Sequence, residues 1–186
     1  VWLVPEALFL PGHRRGGGIA QYLCMEKRHG LKAGMLRMVF GLGTRAVDRV
    51  EGDYPRLVPL DDPMTRPFSG MDDLRTYSQH SVDVINMRDN VLQTALFNSL
   101  ISEGIDIELE RIGVEDEEST QRLKDLGRGN SQAWVITFDD LLKNTEFPSL
   151  MQGMLKTLEK HYDYPVDIEF TVNFTKNSGF QINLVQ

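Results

Sequence analysis

The feature that most constrains the fold is a pair of strand-like segments at residues 166–172 and 181–186. In the first segment every second residue is apolar, and Asp167, Glu169 and Thr171 stand between the apolar positions. Successive side chains of a strand point to opposite faces, so this pattern predicts one packed face and one polar face. A short polar loop at residues 175–179 separates the two segments, which predicts an antiparallel pair. The sequence therefore predicts a half-buried sheet in this part of the chain.

The polar face of the first strand carries the residues best suited to bind a cation. Asp167 and Glu169 stand two residues apart and so share a face. Mg²⁺ prefers oxygen ligands and often binds through one or two carboxylates together with phosphate groups. A solvated strand face explains the same two carboxylates without any metal, and the pattern alone leaves both interpretations open.

A glycine-rich turn is the second segment that could bind a ligand. Residues 35–40 form a β-prone run that Gly41 and Gly43 interrupt, and Thr44 can then cap a short helix at residues 44–50. Glycine allows the backbone to approach a phosphate closely, and amides at a helix start favour anions. Gly41, Gly43 and the Thr44 amide could thus donate to a phosphate, with Arg45 as a charge partner. A purely structural turn between strand and helix is an equally good explanation.

The rest of the chain shows local patterns of ordinary globular structure. Four regularly spaced prolines make residues 56–60 at best an edge strand, and residues 82–86 and 91–97 predict a β-hairpin. We expect strands at residues 105–112 and 134–138, and the acidic cluster at residues 115–118 is typical of a helix start. Thr145 can cap a helix whose first turn holds Pro148, with Leu and Met at helical spacing on its packed side.

Two motifs in this order resemble the nucleotide-binding domain of phosphoenolpyruvate synthases and pyruvate phosphate dikinases. Asp-Ile-Glu-Phe at residues 167–170 is followed after a hairpin by Leu-Val-Gln at residues 184–186, and Gly-Leu-Gly stands upstream at residues 41–43. The resemblance implies an α+β fold, the C-terminal portion of an ATP-grasp domain over residues 31–186, with mixed or antiparallel strands and a few helices. It further implies that Glu169 and Gln186 hold the metal, and that Gly41, Gly43, Thr44 and Arg45 lie at the nucleotide phosphates.

The same resemblance implies a function for the parent protein. Such enzymes are ATP-dependent phosphotransferases that use ATP and Mg²⁺ to phosphorylate a mobile histidine and then pyruvate. The phosphohistidine and pyruvate-binding domains would be the partners of this piece, and the 186 residues alone should show little turnover and weak ATP affinity. A relative that phosphorylates a glucan or an antibiotic is one alternative, and a non-catalytic binding module is another.

The composition of the chain argues against several other classes of function. The net charge of -7 argues against nucleic acid as a partner, because phosphate binding without a metal needs clustered Lys and Arg. The single Cys24 cannot form an internal disulfide, and no apolar run approaches the ~20 residues of a membrane-spanning helix. We therefore expect a soluble protein with no membrane partner and a cytoplasmic location.

Residues 1–30 depart from the family pattern. Back-translation of residues 22–29, read one nucleotide later, permits Thr-Tyr-Val-Trp-Lys-Lys-Asp-Met, which matches the pattern expected there. Our hypothesis is that this segment was translated out of frame and is non-native, and sequencing of the coding DNA tests it. The Gly-Gly-Gly run at residues 16–18 is not followed by Gly-Lys-Ser/Thr, so it predicts no phosphate loop.

Overall fold

A computed structural model describes residues 2–3, 7–9, 33–47, 50–86, 88–128, 131–175 and 179–185, with the backbone alone at 2–3 and 7–9. The strands are β1 (Trp2–Leu3), β2 (Ala7–Phe9), β3 (Met35–Val39), β4 (Arg56–Pro59), β5 (Ser81–Asn86), β6 (Val91–Leu96), β7 (Gly113–Glu115), β8 (Trp134–Ile136), β9 (Glu169–Phe174) and β10 (Phe180–Leu184). The helices are α1 (Thr44–Val47), α2 (Met71–Thr76), α3 (Phe97–Ser102), α4 (Leu109–Ile112), α5 (Glu117–Asp125), α6 (Asp139–Asn144) and α7 (Phe147–Tyr162). Most of the segment predicted to be out of frame lies outside these residues.

The central element is a five-stranded antiparallel sheet with the strand order β10-β9-β2-β3-β4. The β9–β10 pair is the predicted C-terminal strand pair, and β4 lies at the edge, as its prolines predicted. Phe170 and Met38 occupy one transverse row and are buried, whereas Glu169 and Arg37 occupy the next row and are only partly buried. The sheet therefore has a packed face and a more polar face.

Helix α7 and its neighbours cover the packed face. The Phe147 ring at the start of α7 contacts the rings of Phe170 and Phe180, with centroids 6.3 and 5.8 Å apart. Pro148 lies in the first turn of this helix, where its missing N–H costs no hydrogen bond. Met151, one turn further, is fully buried. Met154, Leu155 and Leu158 are partly buried against the core, whereas Leu150 and Tyr162 are 48% and 68% exposed, so the prediction of a packed stripe is only partly correct.

Two smaller sheets complete the architecture. The predicted hairpin forms β5 and β6, and β1 pairs with β5 on the other side. Strands β7 and β8 form an antiparallel pair, and Asp116 after β7 caps α5 by accepting a hydrogen bond from the Ser119 amide. The predicted α+β fold is therefore confirmed, and every strand pairing in the described part of the chain is antiparallel.

Several local predictions are wrong. Residues 105–112 do not form a strand, since α4 begins at Leu109 and the preceding residues are irregular. Ile105 and Ile107 still pack against the core, so their alternation reflects burial without strand pairing. Thr44 is the first residue of α1, and its hydroxyl donates to the Asp83 carboxylate. Within the described residues no helix is long and apolar enough to cross a membrane.

Candidate functional site

The glycine turn after β3 is pressed against the β5–β6 hairpin. Gly41 and Gly43 have φ angles of 110° and 83°, which L side chains rarely adopt. The Leu42 amide donates to the Asp83 carbonyl at 3.0 Å. A Cβ atom at Gly41 would lie 2.7 Å from Val82 Cγ1 and 2.8 Å from the Asp83 carbonyl oxygen. Glycine at position 41 is therefore required both by the backbone angle and by this close approach.

The side chains of Thr44 and Arg45 are engaged by two carboxylates. Thr44 Oγ1 donates to Asp83 Oδ2. Arg45 Nη1 donates to Asp53 Oδ2 at 2.5 Å, and Arg45 Nη2 lies 3.4 Å from Asp83 Oδ1. The Arg45 side chain is only 12% exposed. The cluster thus combines one guanidinium with two carboxylates, a formal charge of -1.

Asp53 and Asp83 were not recognised in the sequence as parts of the site. Asp53 also accepts hydrogen bonds from the His80 and Ser81 amides, at 2.7 and 3.2 Å. Asp83 accepts a further bond from Thr94 Oγ1 at 2.5 Å. Burial acts to raise the pKa of Asp83, but the two threonine hydroxyls and Arg45 outweigh it and lower that pKa below its ordinary value. The two carboxylates thus fasten the glycine turn to the hairpin.

The only sequence signal for Asp83 is a carboxylate inside an otherwise apolar and β-prone run at residues 82–85. Alternation places Asp83 opposite the buried Val82 and Val84, which alone suggests a solvated strand face. Its contacts with Thr44 and Arg45 span 39 and 38 residues of the chain. Local patterns carry no information about such a distant pairing.

Glu169 begins β9 and lies on the more polar face of the five-stranded sheet. Its carbonyl accepts a hydrogen bond from the Val185 amide at 2.8 Å, so its position is set by the β9–β10 pairing. On the same face, Asn183 Nδ2 donates to Thr171 Oγ1 at 3.3 Å. The predicted orientation of Glu169, away from the buried Phe170, is therefore observed.

The two halves of the predicted site belong to one sheet. The glycine turn follows β3, Glu169 belongs to β9, and β2 lies between these strands. Helix α1, which carries Thr44 and Arg45, contacts both β2 and β3. Gln186, the other predicted metal ligand, lies outside the described residues, so its relation to Glu169 stays a prediction.

The described residues contain no group of three or more His, Cys, Asp or Glu that could hold a metal ion. Mg²⁺ bound mainly to phosphates and water does not need such a group, because one or two protein oxygens suffice. The Glu169 carboxylate supplies an oxygen of this kind, and the amide of Gln186 would supply a second. The donor types of these two residues therefore fit magnesium.

A groove of about 770 Å³ lies elsewhere, between α3, α5 and the start of β8. Its lining includes Arg75, His80, Asn98, Asp116 and Trp134. None of the residues predicted to bind the nucleotide or the metal lines it. This groove therefore does not belong to the predicted site.

Comparison with known families identifies the domain. The family model described as "Pyruvate phosphate dikinase, AMP/ATP-binding domain" matches residues 22–186 and so spans both the glycine turn and the C-terminal strand pair. Together with the α+β sheet, this match defines the chain as a nucleotide-binding domain, with ATP as its ligand. The chain belongs to the pyruvate phosphate dikinase AMP/ATP-binding domain family. No curated protein and no solved structure matches it.

Proposed function

We propose that this chain is the ATP- and Mg²⁺-binding part of a phosphoenolpyruvate synthase-like dikinase. The observation that carries the proposal is the family match over residues 22–186, which includes both predicted motifs. The placement of the glycine turn and Glu169 on one sheet agrees with a single nucleotide site. A bound magnesium ion would offset the negative charge of the phosphates, and Glu169 and Gln186 are the residues that would hold it.

The glycine turn would contribute backbone amides to the phosphate chain. The Leu42 amide is already used by Asp83, and the Ala46 amide donates to the Gly43 carbonyl at 2.9 Å. In the described part of the chain, the Gly41, Gly43 and Thr44 amides have no backbone acceptor. Amide donors fixed in advance near an anion stabilise it without further reorganisation. Gly41, Gly43 and Thr44 are therefore the donors of the turn that are free to bind a phosphate in this proposal.

Arg45 stays a predicted phosphate contact, but its charge is already compensated. Asp53 and Asp83 hold its guanidinium, and a phosphate would have to compete with both carboxylates. We infer that the main contribution of Arg45 is to keep the turn in place. The nucleotide phosphates then need a cation from another part of the site.

The parent reaction belongs to the same proposal. ATP would phosphorylate a histidine on a mobile domain, which would then transfer the phosphoryl group to pyruvate, and the protein would act in the cytoplasm. In this scheme the chain binds and orients ATP, which is the main task of proteins that catalyse phosphoryl transfer. Pyruvate-dependent formation of AMP by the full-length gene product tests this part, and AMP formation that depends on another acceptor contradicts it.

The metal role of Glu169 has a direct test. Calorimetric titration should show that Glu169→Gln binds ATP at least about tenfold more weakly than the wild type when Mg²⁺ is present, since the substitution removes a charged ligand. Without Mg²⁺ the two proteins should bind ATP almost equally. Glu159→Gln, which makes the same change on an exposed position of α7, is the matched control. Equal affinity of both variants for MgATP would exclude Glu169 as a ligand.

A further inference from the structure

Arg37 is an arginine of the central sheet that has no acidic partner among the residues that the structure describes. Among the described residues it makes no ion pair or side-chain hydrogen bond, and its Nε is buried without an acceptor. The residues of β3 and β4 that neighbour it on the same sheet face are uncharged: Met35, Val39, Leu57 and Pro59. A guanidinium held on this surface without a counter-ion is available to an anionic ligand.

The strand register relates Arg37 to Glu169. Arg37 pairs with Phe9 of β2, and Phe9 pairs with Glu169 of β9, so all three lie in one transverse row. Directly paired residues of antiparallel strands project from the same face. With strands ~4.8 Å apart, the Cα atoms of Arg37 and Glu169 are separated by about 10 Å. A cationic and an anionic side chain thus flank the same strip of the sheet.

Other arginines near the site are already engaged. Arg45 is paired with Asp53 and Asp83, and Arg66 is paired with Asp139. Arg56 lies in the row of the packed face and donates to three backbone carbonyls, and burial lowers its pKa to about 10. Arg37 differs from all three because no group in the described structure neutralises or fixes its charge.

We propose that Arg37 binds the phosphate chain of the nucleotide, an inference that rests on the proposed ATP site. Arg37 precedes Gly41 on the same strand and turn, so it lies on the strand that leads into the amide donors. Glu169 would hold the metal at the other end of the row, and the phosphates would lie between a cation and a metal ion. A planar guanidinium can donate two parallel hydrogen bonds to a phosphate, which a lysine cannot reproduce.

The test is calorimetric titration of the 186-residue chain with ATP, first with EDTA and then with Mg²⁺. Arg37→Gln should weaken ATP binding about 10- to 100-fold under both conditions, the range of a charge-assisted hydrogen bond. Arg37→Lys should recover only part of the affinity. Arg88→Gln, the same change in the exposed β5–β6 turn, should bind as the wild type does. Equal affinity of Arg37→Gln and Arg88→Gln would overturn the assignment.

A second measurement does not depend on a variant that folds. In a ¹H–¹⁵N spectrum of the wild-type chain, the Arg37 Nε–H signal should shift on addition of ATP or tripolyphosphate and stay in place with adenosine. An Arg37 Nε–H signal whose chemical shift does not change on addition of tripolyphosphate would refute a phosphate contact.

The two proposals fail in different ways. If Arg37→Gln weakens binding while Glu169→Gln leaves MgATP affinity unchanged, the metal role is wrong and the phosphate role of Arg37 stands. If the wild type binds neither ATP nor tripolyphosphate, both proposals are refuted for this chain.

Discussion

Replacement of Gly41 by alanine tests how closely the glycine turn is fitted to the hairpin. The new Cβ would lie 2.8 Å from the Asp83 carbonyl oxygen, and this backbone atom cannot move aside as a flexible side chain can. The φ angle of 110° adds a conformational cost, which is about 1–2 kcal/mol for a residue with a Cβ. Overpacking adds roughly 1–3 kcal/mol. We therefore expect Gly41→Ala to lower the free energy of unfolding by about 2–5 kcal/mol.

Two further glycines separate these contributions. Gly52 has a φ angle of 74° and open space around it, so Gly52→Ala should show the conformational cost alone, about 1–2 kcal/mol. Gly153 lies inside α7, also with open space, and Gly153→Ala should stabilise the protein by roughly 0.5–1 kcal/mol. Urea unfolding followed by circular dichroism measures all three.

The relative stability of the three variants tests whether the glycine turn packs closely against the hairpin. Thermal midpoints should fall by about 4 °C or more for Gly41→Ala, since 1 kcal/mol shifts the midpoint by about 2–4 °C in a chain of this size. If Gly41→Ala is no less stable than Gly52→Ala, the turn is not pressed against Asp83, and the account of how the site is held together is wrong.

Other predictions concern the carboxylates. Asp53→Ala should destabilise the fold by about 3–5 kcal/mol, because it removes the closer partner of the largely buried Arg45 and the acceptor of two amides. Asp72 pairs with Arg75 but is 94% exposed, so Asp72→Ala should cost only about 0–1 kcal/mol. Near-equal urea midpoints for the two variants would contradict this. Hydrogen bonds from Arg75, opposed by burial and aided by Ser119, hold the pKa of Asp116 well below its usual range. At acid pH the unfolded chain therefore binds more protons than the folded chain. The free energy of unfolding that Asp116 contributes is present above the ordinary Asp pKa of about 3.9 and is lost as pH falls below it. Between about pH 5 and pH 2.5 the wild type should lose more unfolding free energy than Asp116→Asn, and parallel pH profiles would refute the assignment.

Much of the local structure could be predicted because its causes are local. Alternation predicted β9 and β10, prolines predicted the edge position of β4, and the acidic cluster predicted the start of α5. The insertion of β2 between β3 and β9 could not be predicted in this way. It joins residues 7–9 to residues 169–171, and nothing in either segment specifies so distant a partner.

Features of the site that depend on backbone conformation could be predicted from the sequence. Features that depend on contacts between side chains far apart in the chain could not. Positive φ angles at Gly41 and Gly43 follow from a glycine pair at the end of a strand. The pairing of Arg45 with Asp53 and Asp83 depends on how the hairpin packs on the turn, which only the fold determines. The same limit applies to Arg37, since its significance depends on the strand order that aligns it with Glu169.

These contacts bear on how the turn could move. Asp83 belongs to β5 and accepts a hydrogen bond from Thr94 on β6, while it also holds Thr44 and the Leu42 amide. A glycine turn that closes over phosphates must therefore either break its contacts with Asp83 or carry the whole β5–β6 hairpin with it. The second route keeps the hydrogen bonds of Asp83 and the Arg45 ion pairs intact, so it costs less free energy. Closure of this site is then expected as a movement of turn and hairpin together, with Asp83 as the residue that couples them.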